Sequence, residues 1–377
     1  MRAYVALVLA PMLIGAAPVP APVPAEIPVV LLIDAANQQP LFAREPERRF
    51  MPASVTKVMT AYTAFRLIEE GRFTPATRTQ ISQALEDEWW NEGSTMFLKA
   101  GEQPTVGELI LGVTTVSGND ASVALALAGT GSVASWVALM NRHAAELGMA
   151  QTHFGGVNGF PDEGQTFTTA NDLATLGTAL VTRFPGLYRR YFGHRQLTWR
   201  NITQPNHDPV TGVVPGADGM KTGFTSEAGY TFMGSGERDG RRLVMVLAGA
   251  PSAGMRDDAA RALLEWGFSQ FARAPLTSQG TQVTEALVQD GASSTVSLRT
   301  AMPLSISQPV GASAAPRLTV RYTGPLPAPI SAGDRVATML VEVAGMPPYE
   351  VPLVAGEDVP RAGFLRRLWN GLTGAFA

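Results

Sequence analysis

The chain has 377 residues, of which 45% are hydrophobic and 16% charged, with a net charge of −3. That length suits about two or three domains with ample core material, and a slightly negative balance without a basic patch excludes nucleic-acid binding. Cysteine is absent, which excludes disulfides, thiol catalysis and zinc–thiolate sites.

The first 25 residues read as a secretory leader. Arg2 precedes an apolar run over residues 3–17 and a small, proline-rich stretch over 18–28. A run of about fifteen apolar residues with a proline inside falls short of the roughly 20 needed to span a bilayer. Val23-Pro24-Ala25 supplies the small or branched residues that cleavage requires, so the cut is expected after Ala25.

Residues 26–274 alternate strand-like and helical segments. The run 28–34 is β-rich and turns at Ala35-Ala36-Asn37. Val58, Ala61, Ala64, Phe65 and Ile68 recur at three- and four-residue spacing, which predicts a helix over 54–71 closed by Gly71. Further helices are predicted over 105–115, 120–127, 136–147, 170–182 and 257–268, and neighbouring strands over 230–234 and 242–250 around a turn at 236–240. The fold class is therefore α+β, an antiparallel sheet with a helical cluster. After Ala274-Pro275-Leu276 the helical periodicity stops, and alternating runs at 317–322 and 335–343 predict a small all-β domain over 275–357. In the final segment, 358–377, Phe364, Leu368, Leu372 and Phe376 fall four apart beside Leu365 and Trp369. With Arg361, Arg366 and Arg367 next to that stripe, it reads as an amphipathic helix lying on a membrane surface.

Chemistry concentrates around two of the three lysines, Lys57 and Lys221; Lys99 stands in no such frame. A lysine can be deprotonated when desolvated or crowded by another cation, whereas arginine cannot. In Ser54-Val55-Thr56-Lys57 a helical start places the lysine one turn from the hydroxyl, on the same face. The free N–H groups and positive dipole end of such a helix favour the oxyanion that forms when a serine attacks a carbonyl. Alone the spacing is weak, and Ser54 could equally be a helix cap. Two further elements follow in order: Ser117-Gly118-Asn119 between two helices, and Lys221-Thr222-Gly223 at the start of a β segment. Serine-x-x-lysine, serine-x-asparagine and lysine-threonine-glycine together are the signature of serine penicillin-recognising enzymes.

With Met51-Pro52-Ala53, Gly93-Ser94-Thr95-Met96-Phe97-Leu98 and Leu264-Glu265-Trp266-Gly267-Phe268 added, the chain resembles the D-alanyl-D-alanine carboxypeptidases among the low-molecular-mass penicillin-binding proteins. The resemblance is strong over residues 27–271 and looser beyond. It implies a transpeptidase-like catalytic domain, a β-sandwich-like second domain and a C-terminal anchor. It also implies Ser54 as the acyl-ester nucleophile, Lys57 as the base, Ser117 as a proton relay and Lys221 as an electrostatic aid. Asn119 would bind the substrate amide, the backbone of Phe224 the oxyanion, and Thr222 with Arg256 the terminal carboxylate, Gly223 allowing close approach. Some relatives carry histidine where Phe224 stands. The implied substrate is the peptidoglycan stem pentapeptide, with β-lactams as covalent inhibitors and no cofactor or metal. The implied location is peripheral, on the periplasmic face of the cytoplasmic membrane.

Other readings are weaker. His143, His153, His194 and His207 stand in no catalytic frame and are expected at the surface or in turns. A class A β-lactamase would carry aspartate in place of Gly118 and would have no use for a second domain. D,D-endopeptidase action on cross-links stays open, because the same serine could cleave either bond. A non-catalytic peptidoglycan-binding protein would have lost Ser54 or Lys57, and both are present.

Overall fold

The computed structural model describes residues 2–7, 20–312 and 315–363. The chain divides into two compact units, one of Pro20–Ala35 with Phe42–Ser269, the other of Ala36–Leu41 and the chain from Gln270 onward together with the N-terminal strand. That strand, β1 (Arg2–Leu7), belongs with the second unit.

The first unit is built on a sheet containing β2 (Val29–Asp34), β3 (Gln39–Arg44), β6 (Ala217–Thr225), β7 (Gly229–Arg238) and β8 (Arg241–Ala250), in the order β3-β2-β8-β7-β6. The pairings β2/β8, β8/β7 and β7/β6 are antiparallel. All six residues of β2 are buried, so Val29 to Ile33 read as a continuous apolar run with no alternation. Helices cover both faces of the sheet, which is the physical reason. Val244 faces Gly177 of α6 (Ala170–Arg183), whereas its neighbour Leu243 faces Gly267 of α8 (Ala253–Ser269). Consecutive strand residues point to opposite faces, so the two helices lie on opposite sides. The small β4 (Gln196–Trp199) and β5 (Ile202–Pro205) form a separate hairpin.

The helical cluster surrounds α1 (Thr56–Glu69). Its sequence suggests a one-sided stripe, yet Lys57, Thr60 and Thr63 are buried together with Val58, Ala61, Ala64 and Phe65. Helix α1 is thus enclosed nearly all round. Around it stand α3 (Val106–Thr115), α4 (Asn119–Thr130) and α5 (Val133–Glu146), and α3 opens through a reciprocal capping box between Thr105 and Glu108. Two short helices, α2 (Gln83–Trp89) and α7 (Pro185–Tyr191), escape sequence reading because seven residues hold too little periodicity. The N-terminal segment of this unit is also fixed. Val23 is buried, and the Arg44 guanidinium donates to the carbonyls of Pro24 (2.6 Å) and Ile27 (2.8 Å).

Among the described residues the second unit is all β. A sheet of order β1-β13-β15-β16-β11-β10-β14 accompanies a two-stranded sheet of β12 and β9. Its strands are β9 (Phe271–Thr277), β10 (Gln282–Gln289), β11 (Thr295–Thr300), β12 (Leu304–Pro309), β13 (Arg317–Thr323), β14 (Leu326–Pro327), β15 (Arg335–Glu342) and β16 (Tyr349–Ala355). Strand β13 alternates strictly, burying Leu318, Val320 and Tyr322 and exposing Arg317, Arg321 and Thr323. Ala274-Pro275-Leu276 lies inside β9, so the β unit begins a few residues before the change in composition at 275.

The expected terminal helix falls largely on residues 364–377, outside the described residues. Its first residues are not helical. Val359 bridges Ile330 and Arg361 bridges Gly291, with Arg361 Nε donating to the Ala328 carbonyl at 3.0 Å. Backbone pairing with the β unit competes successfully with helix formation there.

One glycine shows how tightly the first unit is closed. Gly159 sits at φ +72°, and a Cβ added there would lie 1.8 Å from the Ala53 carbonyl oxygen. Gly159→Ala should therefore lower stability by at least about 1 kcal/mol from the left-handed backbone alone, and further through the clash. Thermal unfolding beside Gly164→Ala, whose φ is +83° with open space around it, separates the two effects.

Candidate active site

Ser54 belongs to a single 3-10 turn, Ala53–Val55, which runs directly into α1. The preceding Ala53 has φ +49°, a costly value for a residue with a side chain. Two glycines hold this turn from outside. A Cβ on Gly223 of β6 would come within 2.6 Å of the Pro52 carbonyl and 3.3 Å of the Ser54 nitrogen, and Gly159 abuts Ala53. The glycine of lysine-threonine-glycine therefore serves close approach of the strand to the serine turn.

Lys57 lies one turn on, 1% exposed. Its Nζ is 3.1 Å from Ser54 Oγ, 2.7 Å from Asn119 Oδ1 and 2.6 Å from the Asn158 carbonyl oxygen. The last two can only accept, so they take two N–H bonds. The third direction points at a hydroxyl that can donate, which suits an amine keeping its lone pair for the serine proton. Burial pushes the Lys57 pKa well below its ordinary value, and the nearby Lys221 charge adds to that, with Asp120 opposing. Asp120 is the acid whose charge acts on Lys57, but it is not a contact counter-ion. Its carboxylate accepts from the backbone nitrogens of Met96 (2.8 Å), Leu98 (3.0 Å) and Ala121 (2.7 Å), and burial raises its own pKa.

Lys221, on β6, is buried and donates to the Thr222 carbonyl at 2.9 Å. Burial lowers its pKa to about 7, helped by the Arg256 charge and opposed by Asp208. Two buried ammonium groups in one site are mutually unfavourable, so the pair resists double protonation.

Above the lysines opens a cleft of about 440 Å³ lined by Ser54, Ser117, Asn119, Thr222, Phe224 and Arg256, with Gly223 in its wall. The serines, asparagine, threonine and glycine singled out in the three motifs thus meet in one cleft, while the buried Lys57 and Lys221 do not line it. Ser117 occupies the α3–α4 turn at φ +62°, and Asn119 is the first residue of α4. Asn119 is engaged at both ends, its Nδ2 donating to the Glu92 carbonyl at 2.9 Å, which leaves one N–H of that amide for a ligand. Arg256, near the start of α8, donates from Nε to Asp257 Oδ1 at 2.7 Å.

Several contributors lie outside the three catalytic motifs. The Asn158 carbonyl, Ser94, Phe160 and Tyr230 all border the site. Ser94 belongs to the stretch 93–98 that carries the resemblance, Asn158-Gly159 is a turn dipeptide, and Phe160 and Tyr230 carried no signal for the site. One histidine departs from the expected surface or turn positions: His143 is buried in α5, its ring centroid 5.9 Å from that of Tyr62. His207 is exposed, as expected, and lines the cleft. There is also no room for the aspartate of a class A β-lactamase, because a Cβ on Gly118 would lie 2.9 Å from Asp120 Oδ1 and 3.0 Å from the Ala121 Cβ. Among the described residues no cluster of histidine and acidic side chains could hold a metal ion.

Comparison with known proteins places this geometry. Residues 20–252 match the D-alanyl-D-alanine carboxypeptidase family model of peptidases S11, and residues 271–361 match the C-terminal domain of penicillin-binding protein 5. The D-alanyl-D-alanine carboxypeptidase DacD of Escherichia coli is 34% identical over 348 residues, covering 90% of this chain and 88% of its own. Penicillin-binding protein 5 from Haemophilus influenzae superposes with a TM-score of 0.74 at 30% identity, over 89% of this chain and 98% of that one. Penicillin-binding protein D2 from Listeria monocytogenes, in its ampicillin-bound form, superposes with a TM-score of 0.58 at 25% identity, over 65% and 98%. With the serine, the paired lysines and the glycine-gated strand assembled in one cleft, the chain belongs to the D-alanyl-D-alanine carboxypeptidase family of serine peptidases.

Proposed function

We propose that this protein is a serine-type D-alanyl-D-alanine carboxypeptidase that removes the terminal D-alanine of peptidoglycan stem pentapeptides and is acylated by penicillin. The carrying observation is the buried Lys57 amine, held by two carbonyl acceptors and aimed at Ser54 Oγ. Ser54 attacks the penultimate D-alanine carbonyl while Lys57 takes the hydroxyl proton. Lys221 resists protonation of Lys57, and Ser117, whose side chain borders the cleft, passes a proton to the departing amine. The backbone N–H groups of Ser54 and Phe224 stabilise the oxyanion. The remaining N–H of Asn119 holds the substrate amide, and Thr222 with Arg256 binds the terminal carboxylate. Water then hydrolyses the acyl-enzyme.

Export and peripheral attachment complete the reading. The leader-like N-terminus supports a periplasmic location, and the Arg44 contacts to carbonyls on both sides of Ala25 favour a cut upstream of Val23 over one after Ala25. The apolar stripe with Trp369, Arg366 and Arg367 supports attachment to the outer face of the cytoplasmic membrane.

Incubation with a pentapeptide ending in D-Ala-D-Ala should release free D-alanine, read by mass spectrometry. A fluorescent penicillin should label the wild type and leave Ser54→Ala dark; stoichiometric labelling of that variant would remove Ser54 from the mechanism. Lys57→Arg retains a cation but cannot lose its proton, so penicillin acylation should fall by about 10²- to 10⁴-fold. Lys221→Arg should lose less, since its work is electrostatic, and equal losses would contradict that division. Truncation after Gly363, which spares the Arg361 and Ala362 contacts with the β unit, should yield an active enzyme that no longer sediments with membranes. Persistent sedimentation would place the attachment elsewhere.

A further inference from the structure

The active-site cleft has a neighbour. Beyond its Thr222–Arg256 end lies a second cleft of about 760 Å³, lined by Arg48, Arg49, Met51, Glu227, Gly249 and Pro251 among others. Phe224 and Tyr230 border both clefts, and among the described residues no other does. They face each other directly across the β6/β7 pairing, which puts both side chains on one face of the sheet. Their rings stack with centroids 4.3 Å apart and planes inclined by 29°. The turn behind them is tied by a 3.0 Å bond from the Ala228 nitrogen to Thr225 Oγ1. Phe224 is nevertheless 52% exposed, so core packing does not account for its ring. The Arg256 guanidinium lies 5.9 Å from the Tyr230 ring, which sets the stack beside the position assigned to the leaving group.

Resting on the carboxypeptidase reading, we propose that the Phe224–Tyr230 stack is the specificity-determining wall that limits the leaving group to one small D-amino acid. The cleft behind it would receive a leaving amine that continues into a second stem peptide once the wall is removed. The bonds are the same in both reactions. Ser54 Oγ bonds to the carbonyl carbon, the C–N bond breaks, the amine departs with a proton, and water later cleaves the ester. What differs is the body attached to the amine: a methyl group in free D-alanine, a whole peptide in a cross-link. The second cleft has the chemistry for the latter. Arg49 is held by Gln151 at 2.9 Å and lies 4.6 Å from the Phe167 ring, with no carboxylate in salt-bridge range among the described residues. It can therefore meet a carboxylate of a second stem.

The test compares D-alanine release from a pentapeptide with cleavage of a D,D-cross-linked peptide dimer, each normalised to penicillin labelling. The wild type should release D-alanine and leave the dimer largely intact. Phe224→Ala should raise the dimer-to-pentapeptide ratio about tenfold or more, and adding Arg49→Ala should reduce that gain. If Phe224→Ala is not labelled by penicillin, Phe224→Leu, which keeps an apolar strand residue but cannot stack, reads the same ratio. An unchanged ratio in a labelled variant overturns the proposal. So does a wild type that cleaves the dimer as readily as the pentapeptide, however the variants fold. A wild type that releases no D-alanine at all sinks the carboxypeptidase reading itself.

Discussion

A lysine amine buried without a contacting counter-ion is the constraint on which this site depends. An ammonium group in such a place would lose its hydration and gain no carboxylate in return. The neutral amine avoids that cost, and the surroundings are arranged to favour it. The nearby carboxylate, Asp120, is bound by three backbone N–H groups and not by Lys57. Lys221 adds a second cation that disfavours a charge on the first. The result is a base made from a side chain that is ordinarily an acid at neutral pH.

That arrangement requires unusual closeness between backbone segments. Strand β6 reaches the serine turn only because position 223 lacks a side chain, and the Asn158-Gly159 turn reaches it only because position 159 does. The same logic applies at Gly118, where the Asp120 carboxylate and the Ala121 methyl occupy the space a side chain would need. Two of the ten non-glycine residues at positive φ among the described residues, Ala53 and Ser117, stand at this site. Such backbone persists where the surrounding structure over-determines it, and here the surroundings are α1, α4 and the edge of the sheet.

The two units differ in how they bury apolar surface, and legibility followed that difference. Helix α6 and strand β13 declare themselves by period, because each has one clear environment on each face, whereas β8, like β2, is covered on both faces and reads as an apolar run. Strand β2 and helix α1 are surrounded on all sides, so their patterns blur. The short α2, α7, β4 and β5 are set by tertiary packing and local capping, such as the Ser82 side chain accepting from the Leu85 nitrogen at 3.2 Å. Strand β9 runs through the stretch at which the helical periodicity stops, and its proline and alanines carry weak β signals.

The sequence alone determined the reacting pair, since a serine and a lysine three residues apart must share a helix face once the local turn forms. It also determined the class of chemistry, because three short motifs in order are individually common and jointly specific. Only the tertiary structure decided the rest. The proton affinity of Lys57 follows from burial and from Lys221, 164 residues away in the chain by numbering. Its second carbonyl partner, Asn158, comes from a turn 101 residues distant. Likewise, the stack of Phe224 on Tyr230 is a consequence of strand register. Spacing along the chain encodes what neighbours within one element can do. Desolvation, through-space charge and cross-strand registry exist only after distant elements have packed.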